Sequence, residues 1–417
     1  MTTNGNQQLP MEGIRILDAT HIIAGPFCAM ILADMGAEVI KVEMPGKGDP
    51  VRGNGPFAGP LGISSEPNTQ DSLSTRFIKR SQGLKSMTLD LKTPQGREIF
   101  LKLAQEVDLI VENLSPGSMH RLGLGYEKLR DMNPGLIYCE ISGFGRTGPY
   151  ADLGGFDLVA QGYSGLMSIT GEGADRPPVK CGPPVTDITA GVLATMGVLA
   201  AYVERLKTGR GQRVDTSLFE AGITQTFWQS AIALATGVSP EPMGSAHPLN
   251  APYEAFETAD GWITIGASNE ATWQRLPPVL GLPELLDDER FLKNIDRMRN
   301  REALNEALAP AFKQRETAEW LTLLEDSGVP AGPVLSVGDM LAHPQARARA
   351  MVVEAEHPSL GPIETIGFPV KFSATPAAIG RGAPRLGEDT VEVLGELGYS
   401  AAEVEQLVQE DVVIAIT

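Results

Sequence analysis

The chain has three cysteines, five histidines and fewer basic than acidic side chains, and each shortage removes a class of function. Cys28, Cys139 and Cys181 stand far apart with no CxxC pair. That argues against a disulfide framework and a structural zinc site, and it fits a reducing cytoplasm. His21, His120, His247, His343 and His357 include no pair at metal-ligand spacing and no HExxH, so no metal is expected. No GxSxG marks a serine hydrolase. With 34 Lys and Arg against 52 Asp and Glu the formal net charge is -18, the wrong sign for a protein that neutralises nucleic-acid phosphates. The opening MTTNGNQQLP lacks the charged-then-apolar order of a signal peptide. No apolar run reaches bilayer length; the longest, residues 188–203, is rich in Gly, Ala and Thr and reads as a buried helix. The expectation is a cytoplasmic protein with neither a nucleic-acid nor a membrane partner.

What is present is length and alternation. At 417 residues two domains are expected, with ample apolar content for a large core. Short apolar runs at 14–17, 38–42, 87–91, 109–112, 136–141 and 213–216 read as strands. Between them, 25–35, 93–106 and 126–132 read as helices, and Pro26 and Pro94 suit first turns. Alternating strands and helices imply an α/β fold with a Rossmann-like, mostly parallel sheet. After residue 219 the character changes: a strand at 262–266 and helices at 271–280, 303–314 and 317–327 suggest a smaller α/β module. The segment GVPAGPV, residues 328–334, reads as a linker. The expected division is 1–218 for the large domain, 219–327 for the small one, and 328–417 as a segment returning to the large domain.

Several residues invite a chemical role. Gly143, Gly145 and Gly148 fit GxGxxG after a strand, but Pro149 and Tyr150 follow where a nucleotide-binding helix must open, so a turn is the better reading and no NAD is expected. Glu43 ends a strand where an acid can bind a ribose, yet the preceding turn lacks its glycines, so it reads as solvent-facing. Lys79, Arg80 and Lys85 form a basic cluster suited to phosphate or to plain solvated surface. Asp187 lies between a Pro-rich turn and the long apolar helix, in VKCGPPVTDITAG. As an N-cap it would accept backbone N–H bonds; as a nucleophile it would use the same positive helix end to stay anionic.

Many segments together resemble the class III CoA-transferases, the family that includes formyl-CoA transferase, carnitine CoA-transferase and α-methylacyl-CoA racemase. They are GIRILDATHIIAGPF, GAEVIKVE, LDLKTPQGR, VENLSPGSMHRLGLGY, ISGFGRTGPY, GFDLVAQGYSGLMSITG and TGRGQRVDTSLFEA. With GVPAGPV they extend from residue 13 to residue 334, and the resemblance covers nearly the whole chain. The resemblance implies that Asp187 is the nucleophile that carries an acyl group and then CoA. It assigns CoA contacts to Lys92, Asn113 and Arg121, with Lys85 and Arg80 in the loop before the LDLK strand, and it places His21, Ile23, Phe156 and His247 around the acyl part. It implies an interlocked homodimer, with acyl-CoA and a carboxylic acid as substrates. Family racemases need a histidine where this chain has Phe156, which disfavours racemisation; a racemase and a non-catalytic acyl-CoA-binding relative are the alternatives. Ile23 and Phe156 replace polar residues of formyl-CoA transferase, and MGSAHPLNAPY, residues 243–253, replaces its glycine run. Both departures point to a dicarboxyl-CoA donor such as succinyl-CoA.

Overall fold

The computed structural model describes residues 9–69, 72–357, 359–377 and 379–415, so most of the polar N-terminal decapeptide lies outside the described residues. The chain divides into two compact units: residues 1–164, 182–225 and 344–417 form the first, and 165–181 with 226–343 form the second. The unit borders at 225/226 and 343/344 lie downstream of those expected at 218/219 and 327/328, and residues 165–181 join the second unit.

The first unit is built on six parallel strands: β1 (Arg15–Ala19), β2 (Glu38–Glu43), β3 (Leu84–Thr88), β4 (Leu109–Glu112), β5 (Ile137–Ser142) and β6 (Arg213–Ser217). Their spatial order is β3-β2-β1-β4-β5-β6, the doubly wound arrangement in which the chain reverses direction across the sheet between β1 and β4. Both faces are covered: β1, β2, β4 and β5 are buried almost along their whole length, and successive side chains point to opposite faces. Ile16, Val39 and Val111 belong to the core on the side of α1 (Ala24–Asp34), and Leu17, Ile40 and Ile110 to the core on the side of α2 (Pro94–Glu106). Two helices near the C-terminus, Thr390–Glu396 and Ala401–Gln409, add Val393, Leu394, Val404 and Leu407 to that second core. Three further helices matter for the site: α3 (Ser118–Arg121), α4 (Asp157–Tyr163) and the long α5 (Val185–Thr208).

The second unit carries the antiparallel sheet β7 (Tyr253–Glu257), β8 (Trp262–Gly266) and β9 (Ala331–Pro333). Phe256, Ile263 and Ile265 from that sheet pack with Leu304, Leu308 and Phe312 of α6 (Arg301–Phe312) and Trp320 and Leu324 of α7 (Thr317–Asp326).

Four expectations are corrected. The strand at 87–91 begins three residues earlier, because Gly83 (φ 77) makes the turn and Leu84 pairs with Val39. The helix at 271–280 splits into Glu270–Trp273 and Leu276–Val279, since Pro277 and Pro278 have no N–H to continue it. The 328–334 segment is not a linker; its Ala331–Pro333 is the edge strand of the second sheet, where a proline is tolerated. Finally, α5 has 24 residues and a window of mean hydropathy 1.5, long and apolar enough by length and composition to cross a membrane. Ala190, Ala194, Val198 and Ala201 on this helix are buried in the α1-side core.

Candidate active site

Where neighbouring parallel strands send their chains in opposite directions, the loops diverge and leave a crevice at the carboxyl ends. Here that point is the gap after β1 and β4. Asn113, just past β4, closes it from below: its Oδ1 accepts the His21 N–H at 2.8 Å and its Nδ2 donates to the His21 carbonyl at 2.9 Å. Beside this clamp lies a cavity of about 340 Å³ lined by Ala19, His21, Glu43, Leu91, Lys92 and Arg121, among others. Arg121 is held by two bonds, to the Pro116 carbonyl and to Ser118 Oγ, both at 3.0 Å. Lys92 is exposed. The structure therefore brings together His21, Lys92, Asn113 and Arg121.

It separates Arg80 and Lys85 from them. Lys85 sits near the amino end of β3, opposite the cavity, between Glu38, Glu392 and Glu396 at 2.6, 2.8 and 3.3 Å, and its ammonium pKa is raised above the ordinary value. Burial alone would lower that pKa; the carboxylates more than offset it. Arg80 is buried, not solvated surface, with Nη2 2.9 Å from Asp49 Oδ2. Glu43 is likewise not solvent-facing: it is 1% exposed and takes two bonds from Arg52 at 2.7 Å and one from Ser86 Oγ at 2.7 Å.

Asp187 is the third residue of α5, and Pro184 occupies the N-cap without a side-chain bond. The cap comes from elsewhere. Asp157, first residue of α4, accepts the Thr186 N–H at 3.0 Å and the Thr186 hydroxyl at 2.8 Å, and its other oxygen accepts from Gln161 at 2.8 Å. The N-cap reading of Asp187 thus fails because another carboxylate does the capping. Among the described residues no hydrogen bond or ion pair ends on the Asp187 carboxylate. Burial first, and then the nearby Asp157 charge, push its pKa from 3.8 to about 7. Four residues on, on the same helical face, Gly191 meets α1: a Cβ there would lie 2.8 Å from the Ala24 carbonyl and 3.0 Å from Phe27. Gly191→Ala should push the two helices apart and cost about 1–3 kcal/mol. A thermal melt beside a turnover assay checks this; wild-type values in both would refute it.

The chain matches CoA-transferase family III over residues 11–390. The chain belongs to that family. This family III CoA-transferase is 38% identical to the succinyl-CoA:glutarate CoA-transferase of Homo sapiens, across 98% of this chain and 91% of that one. It is also 38% identical to the acetyl-CoA:oxalate CoA-transferase of Acetobacter aceti, across 96% and 99%. A CAIB/BAIF family protein from Brucella suis, of known crystal structure, superposes with TM-score 0.82 at 37% identity, covering 94% of this chain and all 100% of that one.

The remaining expected positions of this CoA-transferase fall as follows. Ile23 precedes α1 and Phe156 precedes α4, each as the N-cap residue. Phe156 is 67% exposed. His247 lies in the second unit, its ring 6.0 Å from Trp228 and 5.0 Å from Tyr253. Its Nδ1 accepts the Leu249 N–H at 3.0 Å, which leaves the hydrogen of the neutral ring on Nε2, and burial holds its pKa below the ordinary value. The GxGxxG segment forms a turn: a Cβ on Gly143 would fall 2.6 Å from the Gly155 amide, so the glycine serves close backbone approach. Two contributors escaped sequence reasoning. Asp157 was given no role. Lys41 was given none either, although a lysine flanked by apolar residues in EVIKVE is itself a signal of a buried ion.

Proposed function

We propose that this enzyme moves CoA from a dicarboxyl-CoA donor such as succinyl-CoA to a second carboxylic acid, with Asp187 as covalent nucleophile. The observation that carries the reading is the division of labour between two aspartates: Asp157 satisfies the first turn of α5, and Asp187 keeps its carboxylate unengaged at a positive helix end. The Asp187 carboxylate attacks the donor thioester carbonyl and expels CoA thiolate, leaving a mixed anhydride. The thiolate attacks the aspartyl carbonyl, releasing the donor acid and forming an aspartyl-CoA thioester. The acceptor carboxylate attacks that thioester, giving a second anhydride and thiolate. The thiolate then takes the acceptor acyl group, and the Asp187 carboxylate is restored. The positive N-terminal end of α5 favours the negative charge that develops at each attack.

Lys92 and Arg121, with the Asn113 clamp, suit the phosphates and pantetheine arm of CoA. Ile23 and Phe156 favour an acid whose two carboxylates are separated by methylenes over one as small as oxalate. The human relative's name supports a dicarboxylate donor, while the equally similar Acetobacter relative is named for acetyl-CoA and oxalate. Exposed Met196 and Leu206 on α5, at 62% and 70%, and Leu234 in the second unit, at 88%, are surface that an interlocked homodimer would cover. Two experiments test this reading. CoA exchange across a panel of dicarboxylates, read by mass, should favour four- and five-carbon acids over oxalate. Borohydride or hydroxylamine added during turnover should modify the peptide containing Asp187; a peptide left unmodified while the enzyme turns over would refute the mechanism.

A further inference from the structure

Arg146, inside the GFGRTG turn, has no part in the reading above, yet its side chain is only 10% exposed. Its backbone N–H donates to Asp215 Oδ2 at 3.2 Å, which ties the turn to β6. Its Nη2 donates to Glu112 Oε1 at 2.9 Å, and its Nε lies 3.3 Å from Glu140 Oε1. Glu112 is the last residue of β4 and is 2% exposed. Its second oxygen accepts the Leu114 N–H at 2.7 Å. Between those two residues stands Asn113, whose amide clamps the His21 backbone. Leu114 and, one turn on, Arg121 line the cavity at the crossover point.

We propose that Arg146 is a positioning residue for CoA: by holding the Glu112 carboxylate against the Leu114 amide, it fixes the segment that carries Asn113 and Arg121. This rests on the reading of the cavity as the CoA site. Glu112 and Glu140 are two buried carboxylates on neighbouring strands; Glu140 also pairs with Arg213, whereas Arg146 is the ion-pair partner of Glu112. Without it, Glu112 takes up a proton or turns toward solvent, because an uncompensated buried charge is the costlier state. Either change weakens its bond to Leu114. There is room for the turn to follow. A cavity of about 250 Å³ lies on its other side, lined by Gly117, Met119, His120 and Arg146 itself. The Ser118–Arg121 turn is thus a thin wall between two cavities, braced by one ion pair.

The test is direct CoA binding by calorimetry on the full-length protein, alongside melting temperature and steady-state kinetics. Arg121→Ala reports on the cavity; Arg146→Gln, Arg146→Lys and Glu112→Gln report on the brace. Arg146→Gln is expected to raise the CoA Kd about tenfold, the loss of one hydrogen bond to a charged group. Arg146→Lys should recover part of that loss. Turnover at saturating donor should change far less than KM, since the chemistry at Asp187 is untouched. The Arg146→Gln/Arg121→Ala double variant should lose less than the sum of the singles, as coupled positions do. If Arg121→Ala weakens CoA but Arg146→Gln and Glu112→Gln do not, Arg146 is structural only and the proposal fails. If Arg121→Ala leaves Kd unchanged, the cavity reading fails instead. Should Arg146→Gln lower the melting temperature too far to measure, Glu112→Gln decides, because its amide cannot serve both Arg146 and Leu114 as the carboxylate does.

Discussion

Asp187→Asn should lower turnover roughly ten-thousand- to million-fold, the loss that follows removal of a covalent nucleophile, while making the protein more stable at pH 8. The two effects share one cause. The group titrates near 7 in the folded chain and at 3.8 when free, because burial and the Asp157 charge oppose its ionisation. The folded state therefore holds a proton that the unfolded state has released, and stability falls as pH rises from 3.8 to about 7. Above that the full penalty is present. Asparagine carries no charge and escapes it. The gain for Asp187→Asn at pH 8 is about 1–2 kcal/mol, after allowance for solvent reaching a half-buried group, and it vanishes by pH 3.5. Chemical denaturation at several pH values beside a CoA-exchange assay measures both. A variant that turns over normally would end the nucleophile reading. A stability gain independent of pH would show that the carboxylate is not strained by burial. The wild-type rate should also fall as pH drops below about 7, because only the anion attacks.

The large sheet was legible because its strands are buried on both faces and so appear as unbroken apolar runs. Leu109–Glu112 and Trp262–Gly266 were placed to the residue, and α5 was recognised from its length. Errors fell where local preference conflicts with tertiary pairing. Met87, Leu89 and Leu91 are more apolar than Leu84–Lys85, yet Gly83 and the register with β2 set the strand three residues earlier. Pro330 and Pro333 make 328–334 look like a linker, and only the free edge of β8 makes Ala331–Pro333 a strand. Such pairing is non-local and leaves no trace in the segment itself.

The site was legible in part, for a related reason. The family resemblance, not local spacing, singled out Asp187, Lys92, Asn113 and Arg121, and the structure groups the last three with His21. Whether a basic residue faces a ligand or an acid depends on which strand end it occupies. Lys85 and Lys92 are seven positions apart but lie toward opposite ends of β3, so one meets a cluster of glutamates and the other the cavity. Asp157 acts on Asp187 across 30 positions of chain, through Thr186, and no spacing rule reveals that.

The second large effect is expected at Lys41, which supports the site from beneath. Lys41, Asp18 and Asp49 have side chains that are 0% exposed. The Lys41 ammonium lies 3.3 Å from Asp18 Oδ2, 3.3 Å from Asp49 Oδ2 and 2.8 Å from the Thr20 carbonyl. Asp18 in turn accepts the Thr20 N–H at 2.9 Å, and Asp49 Oδ1 accepts the Ile22 N–H at 3.3 Å. The network thereby holds the loop that presents His21, including Ile22 at φ 70, a backbone state that a β-branched residue adopts only when its surroundings dictate it. Lys41→Met would strand two buried carboxylates, and breaking such a set costs about 3–5 kcal/mol, a large part of the roughly 5–15 kcal/mol that holds a domain folded. Lys41→Met/Asp18→Asn should be less destabilised than Lys41→Met, because one orphaned charge is gone. Acid sensitivity should change as well. Burial opposes the Asp49 charge, but Lys41 and Arg80 outweigh it and bring its pKa from 3.8 to about 2. Its stabilising contribution is therefore present above pH 3.8 and lost as pH falls toward 2. Without Lys41 that contribution shrinks and the acid midpoint moves up. Urea unfolding at pH 7 and an acid titration followed by circular dichroism measure both shifts. Wild-type midpoints in Lys41→Met would mean that Arg80 alone compensates the acids and that the loop draws its shape from other contacts.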